Sequence, residues 1–249
     1  MKTSNKLLLS LLVLVLIAVT AFIGTAKHYH RKGVANTVKG DGNRATEVRT
    51  VNDYNGIKIK GQIEVQLTQG QERKTEINAS KNVAPLIITE VVNGILTIET
   101  KSRINEEERV NVFITVPTIQ SLEMSEGAFV ETTGNFTGDN LTINSSSGSN
   151  GRLSLQYKKL NCELSSGSEL DIDGSAEEAM LKASSGAHIE AGDMTTKTCS
   201  VETQSGANAT VHASQELTAS VNSGSVLNYR GDPAKTNINS TAGGAVRKQ

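Results

Sequence analysis

The side chains best placed for chemistry lie in two neighbouring stretches: Glu169, Asp171 and Asp173 in one, His188 and Glu190 in the next. Asp171 and Glu190 each stand four residues after a Ser-Gly dipeptide, at Gly167 and Gly186. If those dipeptides are equivalent corners, the two carboxylates stack on adjacent strands about 5 Å apart. Such a pair could hold Ca²⁺, or act as acid and base in a polysaccharide lyase or hydrolase. The simpler reading is a solvated acidic face, and two features favour it. Aromatic residues are only 3% of the chain, too few for the platforms of a sugar-processing cleft. The spacing also sets no Arg or Lys beside the pair on the same coil. No catalytic, metal-binding or cofactor-binding residue is therefore assigned, and the five residues stand as surface candidates only.

Other reactive groups have plainer explanations. His28 and His30 follow an apolar segment and read as solvated residues beside it, with metal binding as the alternative, and His188 and His212 take different offsets from their glycines. The serines before the corner glycines (Ser147, Ser166, Ser185, Ser205, Ser223) imitate nucleophiles, but a ladder of hydroxyls bonded to one another and to corner amides accounts for all five. No P-loop, HExxH, G-x-S-x-G or CxxC is present. Cys162 and Cys199 both fall at inward positions, two coils apart. Strand spacing puts their Cα atoms roughly 9–10 Å apart, beyond the ~7 Å that a disulfide spans, so both are expected as free, buried thiols.

The elements that would position these groups come from one repeat. From Ser121 onward the glycines Gly127, Gly148, Gly167, Gly186, Gly206, Gly224 and Gly243 recur at intervals of 21, 19, 19, 20, 18 and 19 residues, the mark of a solenoid. In LNCELSSGSELDI (160–172) and its copies, apolar residues alternate on both sides of Ser-Gly, as in strands with one buried face. Glycine suits the corner through its access to positive φ and to close backbone approach. Stacked coils of about 19 residues give an all-β parallel β-helix over 119–249. An antiparallel sandwich also has short strands and regular turns, but gives no reason to repeat one glycine corner seven times, five of them as Ser-Gly.

The serial [SQN]-S-G-[SA] corners, with GIKIKGQIEVQLTQG (56–70), NGILTIE (93–99) and YRGDP (229–233), resemble the head GIN domain family of autotransporter-adhesin-like proteins over roughly 47–247. The resemblance implies a right-handed β-helix-like fold exported to the cell envelope, as in Bacteroidetes-type bacteria. It supplies no catalytic residues.

Residues 46–118 are β-rich without a clean period and read as a cap of irregular coils that shields a solenoid end. Ile57, Ile59, Ile63, Val65 and Leu67 alternate around Gly61, 82–85 suit a helical turn, and the polar run 101–109 reads as a solvated hairpin loop. Phe129 and Phe136 are read as core, with a contact between copies as the alternative. Residues 27–45 read as a flexible linker. Before them, 7–26 is long enough to cross a bilayer, although Gly24-Thr25-Ala26 would also suit signal cleavage. Lys27, Arg31 and Lys32 leave its orientation open.

Charge narrows the partners. Residues 1–32 hold five bases and no acid, leaving 20 basic against 26 acidic side chains in the rest. That balance argues against nucleic acid, which needs a basic face. The expected partner is a protein or glycan at the envelope, with membrane contact through the N-terminal segment and with homo-oligomers as an option. The reading is a non-enzymatic, adhesin-like binding or scaffold module. The alternative is a carbohydrate-active enzyme with its site on the Asp171/Glu190 face.

Overall fold

The structure, a computed structural model, describes residues 37–249. Among them run β1 (Arg44–Arg49), β2 (Gly56–Lys60), β3 (Glu64–Gln69), β4 (Lys74–Ser80), β5 (Ile87–Val92), β6 (Ile95–Thr100), β7 (Asn111–Val116), β8 (Ser121–Ser125) and β9 (Phe129–Thr133). They continue with β10 (Phe136–Ser145), β11 (Asn150–Leu164), β12 (Glu169–Ala183), β13 (His188–Thr203), β14 (Asn208–Val221), β15 (Val226–Arg230), β16 (Lys235–Ser240) and β17 (Ala245–Lys248). A single 3-10 turn, Ala84–Leu86, falls where the sequence suggested one.

From β8 to β17 every pairing is parallel, and each strand lies on its copy from the next coil. The register offsets reproduce the glycine intervals: Ser121 faces Thr142, Asn150 faces Glu169, and Asn208 faces Val226. The solenoid read from the sequence is therefore the fold. Its interior consists of aliphatic columns, one side chain per coil. Ile57, Leu122, Ile143, Cys162, Leu181, Val201 and Ala219 form one such column, all buried. Each large member contributes about 1.5–3 kcal/mol by leaving water, which lets a chain poor in aromatics build a core. Cys162 and Cys199 are both buried and unbonded.

The corners owe their shape to two successive positive φ angles, as in a type I′ turn. Ser147 and Gly148 have φ 55 and 69, and Ser185 and Gly186 have φ 53 and 72. A Cβ at Gly148 or Gly186 would meet nothing within 4 Å. Conformation, and not close approach, explains glycine here, which corrects half of the sequence argument. The αL serine is held because its carbonyl accepts from the preceding coil's glycine: Gly148 N donates to Ser166 O at 3.1 Å, and Gly167 N to Ser185 O at 3.1 Å. The expected hydroxyl ladder also moves. The five serines before the glycines are exposed, whereas buried hydroxyls one place after the glycine close the corner. Ser149 Oγ lies 2.8 Å from Ser145 Oγ, and Ser225 Oγ lies 3.0 Å from Thr203 Oγ.

Each coil turns again at an exposed doublet: Asp139-Asn140, Lys158-Lys159, Glu177-Glu178, Lys197-Thr198. Charges there alternate along the stack. Lys158 pairs with Asp139 (2.6 Å), Lys159 with Glu178 (3.0 Å) and Lys197 with Glu177 (3.3 Å).

The N-terminal half departs from chain order. β2 lies between β6 and β8, and β3 lies between β7 and β9, all parallel. Beyond them the pairing becomes antiparallel: β5 on β6, β4 on β7, and β1 on β4. These strands cover edges that would otherwise stand open. β6 and β7 do not pair with each other, so 101–109 is no hairpin loop. It links two sides of one coil, and its residues bind earlier chain: Val38 N donates to Arg103 O (2.8 Å), and Glu108 accepts from Ser80 N (2.9 Å). The expected linker is thus tied to the body from Val38, and β1 starts at Arg44. The apolar segment 7–26 and residues 27–36 lie outside the described residues. No helix among the described residues is long and apolar enough to cross a membrane.

Candidate binding face

The strand that follows each Ser-Gly corner turns alternate side chains outward. At offset +4 the stack presents Glu131, Arg152, Asp171 and Glu190 as in-register neighbours. At offset +2 it presents Phe129, Asn150, Glu169 and His188. Asp171 and Glu190 therefore meet as the spacing required, and so do Glu169 and His188. His188 Nε2 also lies 4.0 Å from Glu190 Oε2 on its own strand. Asp173, two residues beyond Asp171, is exposed and lies within the register shift between Asp171 and Gly174, where it has no in-register partner on β13.

Burial, helped by the charges of Glu190 and Asp173, raises the Asp171 pKa above the ordinary aspartate value, while Arg152 pulls it back. Asp171 remains exposed on an open sheet face. No group of three or more His, Cys, Asp or Glu capable of holding a metal ion occurs among the described residues.

Two features were missed by the reading from sequence. Arg152 stands beside Asp171 from the preceding coil, where the single-coil reading did not look, and its offset of +4 from Gly148 was the available signal. Phe129 is not core. It lies partly exposed on this face with the Arg152 guanidinium 5.9 Å from its ring centre, a cation–π contact. Phe136 is fully buried, as expected.

The same face runs on past Phe129 toward the N-terminal strands. β3 places Glu64 opposite Phe129 and Gln66 opposite Glu131; on its other side β7 places Asn111 and Phe113. Phe113 is 38% exposed. A groove of about 220 Å³ lies over β3 between Phe113 and Phe129, lined also by Glu64, Gln66, Asn111 and Glu131. Gln66 Nε2 donates to Glu131 Oε1 at 3.1 Å. From Phe113 to Glu190 the face spans five strand spacings, about 24 Å.

A larger groove of about 610 Å³ follows the charged doublets, past Thr137, Gln156, Ser175 and Thr195. Its Asp139, Lys158, Glu177 and Lys197 are committed to one another in ion pairs. Its Tyr157 is buried and donates to Ile119 O (3.1 Å).

A family profile described as "Putative auto-transporter adhesin, head GIN domain" matches residues 53–233. Among solved structures, a putative adhesin from Bacteroides fragilis superposes with a TM-score of 0.80 at 21% identity, over 85% of this chain and 100% of that one. A putative lipid binding protein from Parabacteroides distasonis gives 0.70 at 19% identity, over 86% and 99%. A putative adhesin from Parabacteroides merdae gives 0.69 at 21%, over 86% and 99%. At these identities the likeness is one of fold. A comparison with curated proteins returned no match.

Proposed function

Because the chain belongs to the head GIN domain family of putative auto-transporter adhesins, we propose that it is an exported, non-enzymatic binding module of the cell envelope. In this reading the solenoid is a stiff support, and the face from Phe113 to Glu190 engages a protein or glycan. The observation that carries it is the make-up of that face: outward aromatic rings and charged side chains follow one another along about 24 Å of regular sheet, without enclosing a reaction centre. An open surface of this kind binds through many modest contacts. A hydrolase or lyase would instead need its acid and base shielded around the substrate, and Asp171 stands in the open.

Membrane attachment through residues 7–26 would hold the module at the envelope. Self-association would multiply its contacts, since linked weak sites gain avidity. The test is binding of the full-length chain, in detergent, to an array of glycans and matrix proteins, with protease shaving of intact cells to establish surface exposure. Selective capture of a glycan or matrix protein supports the module. Turnover of a polysaccharide that disappears in the Asp171→Ala, Glu190→Ala double variant would replace it with the enzyme reading.

A further inference from the structure

Six aromatic side chains fall among the described residues, and four of them (Tyr54, Phe136, Tyr157 and Tyr229) sit at inward or buried positions. The remaining two, Phe113 and Phe129, both point outward from the same sheet face, on strands that flank β3. Neither phenylalanine is needed to fill the interior columns, so a matched pair on one outer face calls for an explanation beyond the core.

The groove between them offers one. Its lining combines the two apolar rings with side chains that carry hydrogen-bond acceptors, the carboxylates of Glu64 and Glu131 and the amides of Gln66 and Asn111. The Asn111 Oδ1 is shielded from solvent and accepts no hydrogen bond, an acceptor left without a donor. Arg152 comes from β11, on the far side of Phe129 from β3. It can hold the ring from that side while leaving the groove side free.

We infer that this groove is a subsite for a neutral pyranose ring, one unit of a glycan. A pyranose has apolar C–H faces that pack against aromatic rings and a rim of hydroxyls that donate to carboxylates. The volume of about 220 Å³ is on the scale of one such ring, below the ~300 Å³ of typical drug-sized pockets. Glu64 and Glu131 disfavour an anionic sugar, because a further carboxylate there would meet two like charges. The larger groove does not compete for this role, since its charges are paired and it presents no outward ring. The inference deepens the binding-module reading and rests on it, by naming the ligand class and the place.

The test is saturation-transfer NMR and calorimetry on the full-length chain in detergent. The probes are methyl glucoside, methyl galactoside, methyl mannoside and their β-linked tetrasaccharides, with glucuronic acid as the anionic control. A neutral probe should bind and glucuronic acid should not. Phe113→Ala and Phe129→Ala should each weaken binding at least tenfold. Neither ring belongs to the interior columns, so circular dichroism should stay that of wild type and Tm should fall by only a few degrees. Phe113→Tyr and Phe129→Tyr keep a ring and should restore most of the affinity. The inference is overturned if no neutral probe binds, or if both alanine variants bind as wild type does. Capture of a protein, or of a glycan insensitive to both substitutions, would remove the subsite yet leave the binding module standing. Absence of any ligand on the wider array would remove both.

Discussion

Substituting single glycines tests why the corners have their shape. At Gly186 an added methyl meets nothing within 4 Å, while φ is +72. The cost is therefore conformational only, about 1–2 kcal/mol for an L-residue in the left-handed region. Loss of chain entropy in the unfolded state returns about 0.4–1 kcal/mol of this, leaving a net destabilisation near 1 kcal/mol. Gly174 is a different case. Its φ is +109, and its Cβ would lie 2.0 Å from Leu155 O in the coil below. Backbone strain and overpacking then add, for about 3–5 kcal/mol. For a chain of this size one kcal/mol moves Tm by about 2–4 °C. Gly186→Ala should thus lower Tm by about 2–4 °C, and Gly174→Ala by about 6–20 °C. Calorimetry or circular dichroism melts of both variants under one buffer measure the difference. Equal losses would refute the distinction between a corner that needs only a dihedral angle and a bend that needs space.

Burial raises both thiol pKa values, that of Cys199 to about 12, so neither cysteine should react with a thiol reagent at pH 8 until denaturant is added; rapid labelling of the native protein would contradict their placement. Asp171 titrates higher folded than unfolded, so folding favours its protonated form; its contribution is most favourable at low pH and is lost as pH rises above the normal aspartate range. Asp171→Asn should accordingly raise Tm slightly at pH 7 and leave it unchanged at pH 3, and a fall at pH 7 would show that Arg152 outweighs burial and the neighbouring acids. Lys158→Glu sets three acids in a row with Asp139 and Glu177, so Tm should drop at low ionic strength and recover in 1 M salt. A deficit independent of salt would exclude the charge ladder as its cause.

The repeat made the coils from Ser121 onward legible, because one turn chemistry recurs and the glycine intervals are the register itself. Arg152, Asp171 and Glu190 share offset +4, and the exposure of Phe129 follows from offset +2. The N-terminal half was opaque for physical reasons. The partners of Ile57, Leu96 and Leu122, lie far along the chain, and no local pattern encodes such pairing. Glu64 faces Phe129 at an offset of three from Gly61, against two from Gly127, so glycine alignment carries β3 one residue out of phase. Phe113 follows no corner glycine of the repeat, and its place on the face emerges only once β7 is paired with β3.

Electron–electron distances between spin labels along the outward column test the stacking most directly. With Cys162 and Cys199 buried and unreactive, labels can be placed on cysteines introduced at Glu131 and Asn228, or at Glu131 and Arg247. The column sets these pairs five and six strands apart, or about 24 Å and 29 Å between backbones. The account predicts that the second distance exceeds the first by one strand spacing. Equal distances, or a shorter second one, would contradict coils laid one upon another.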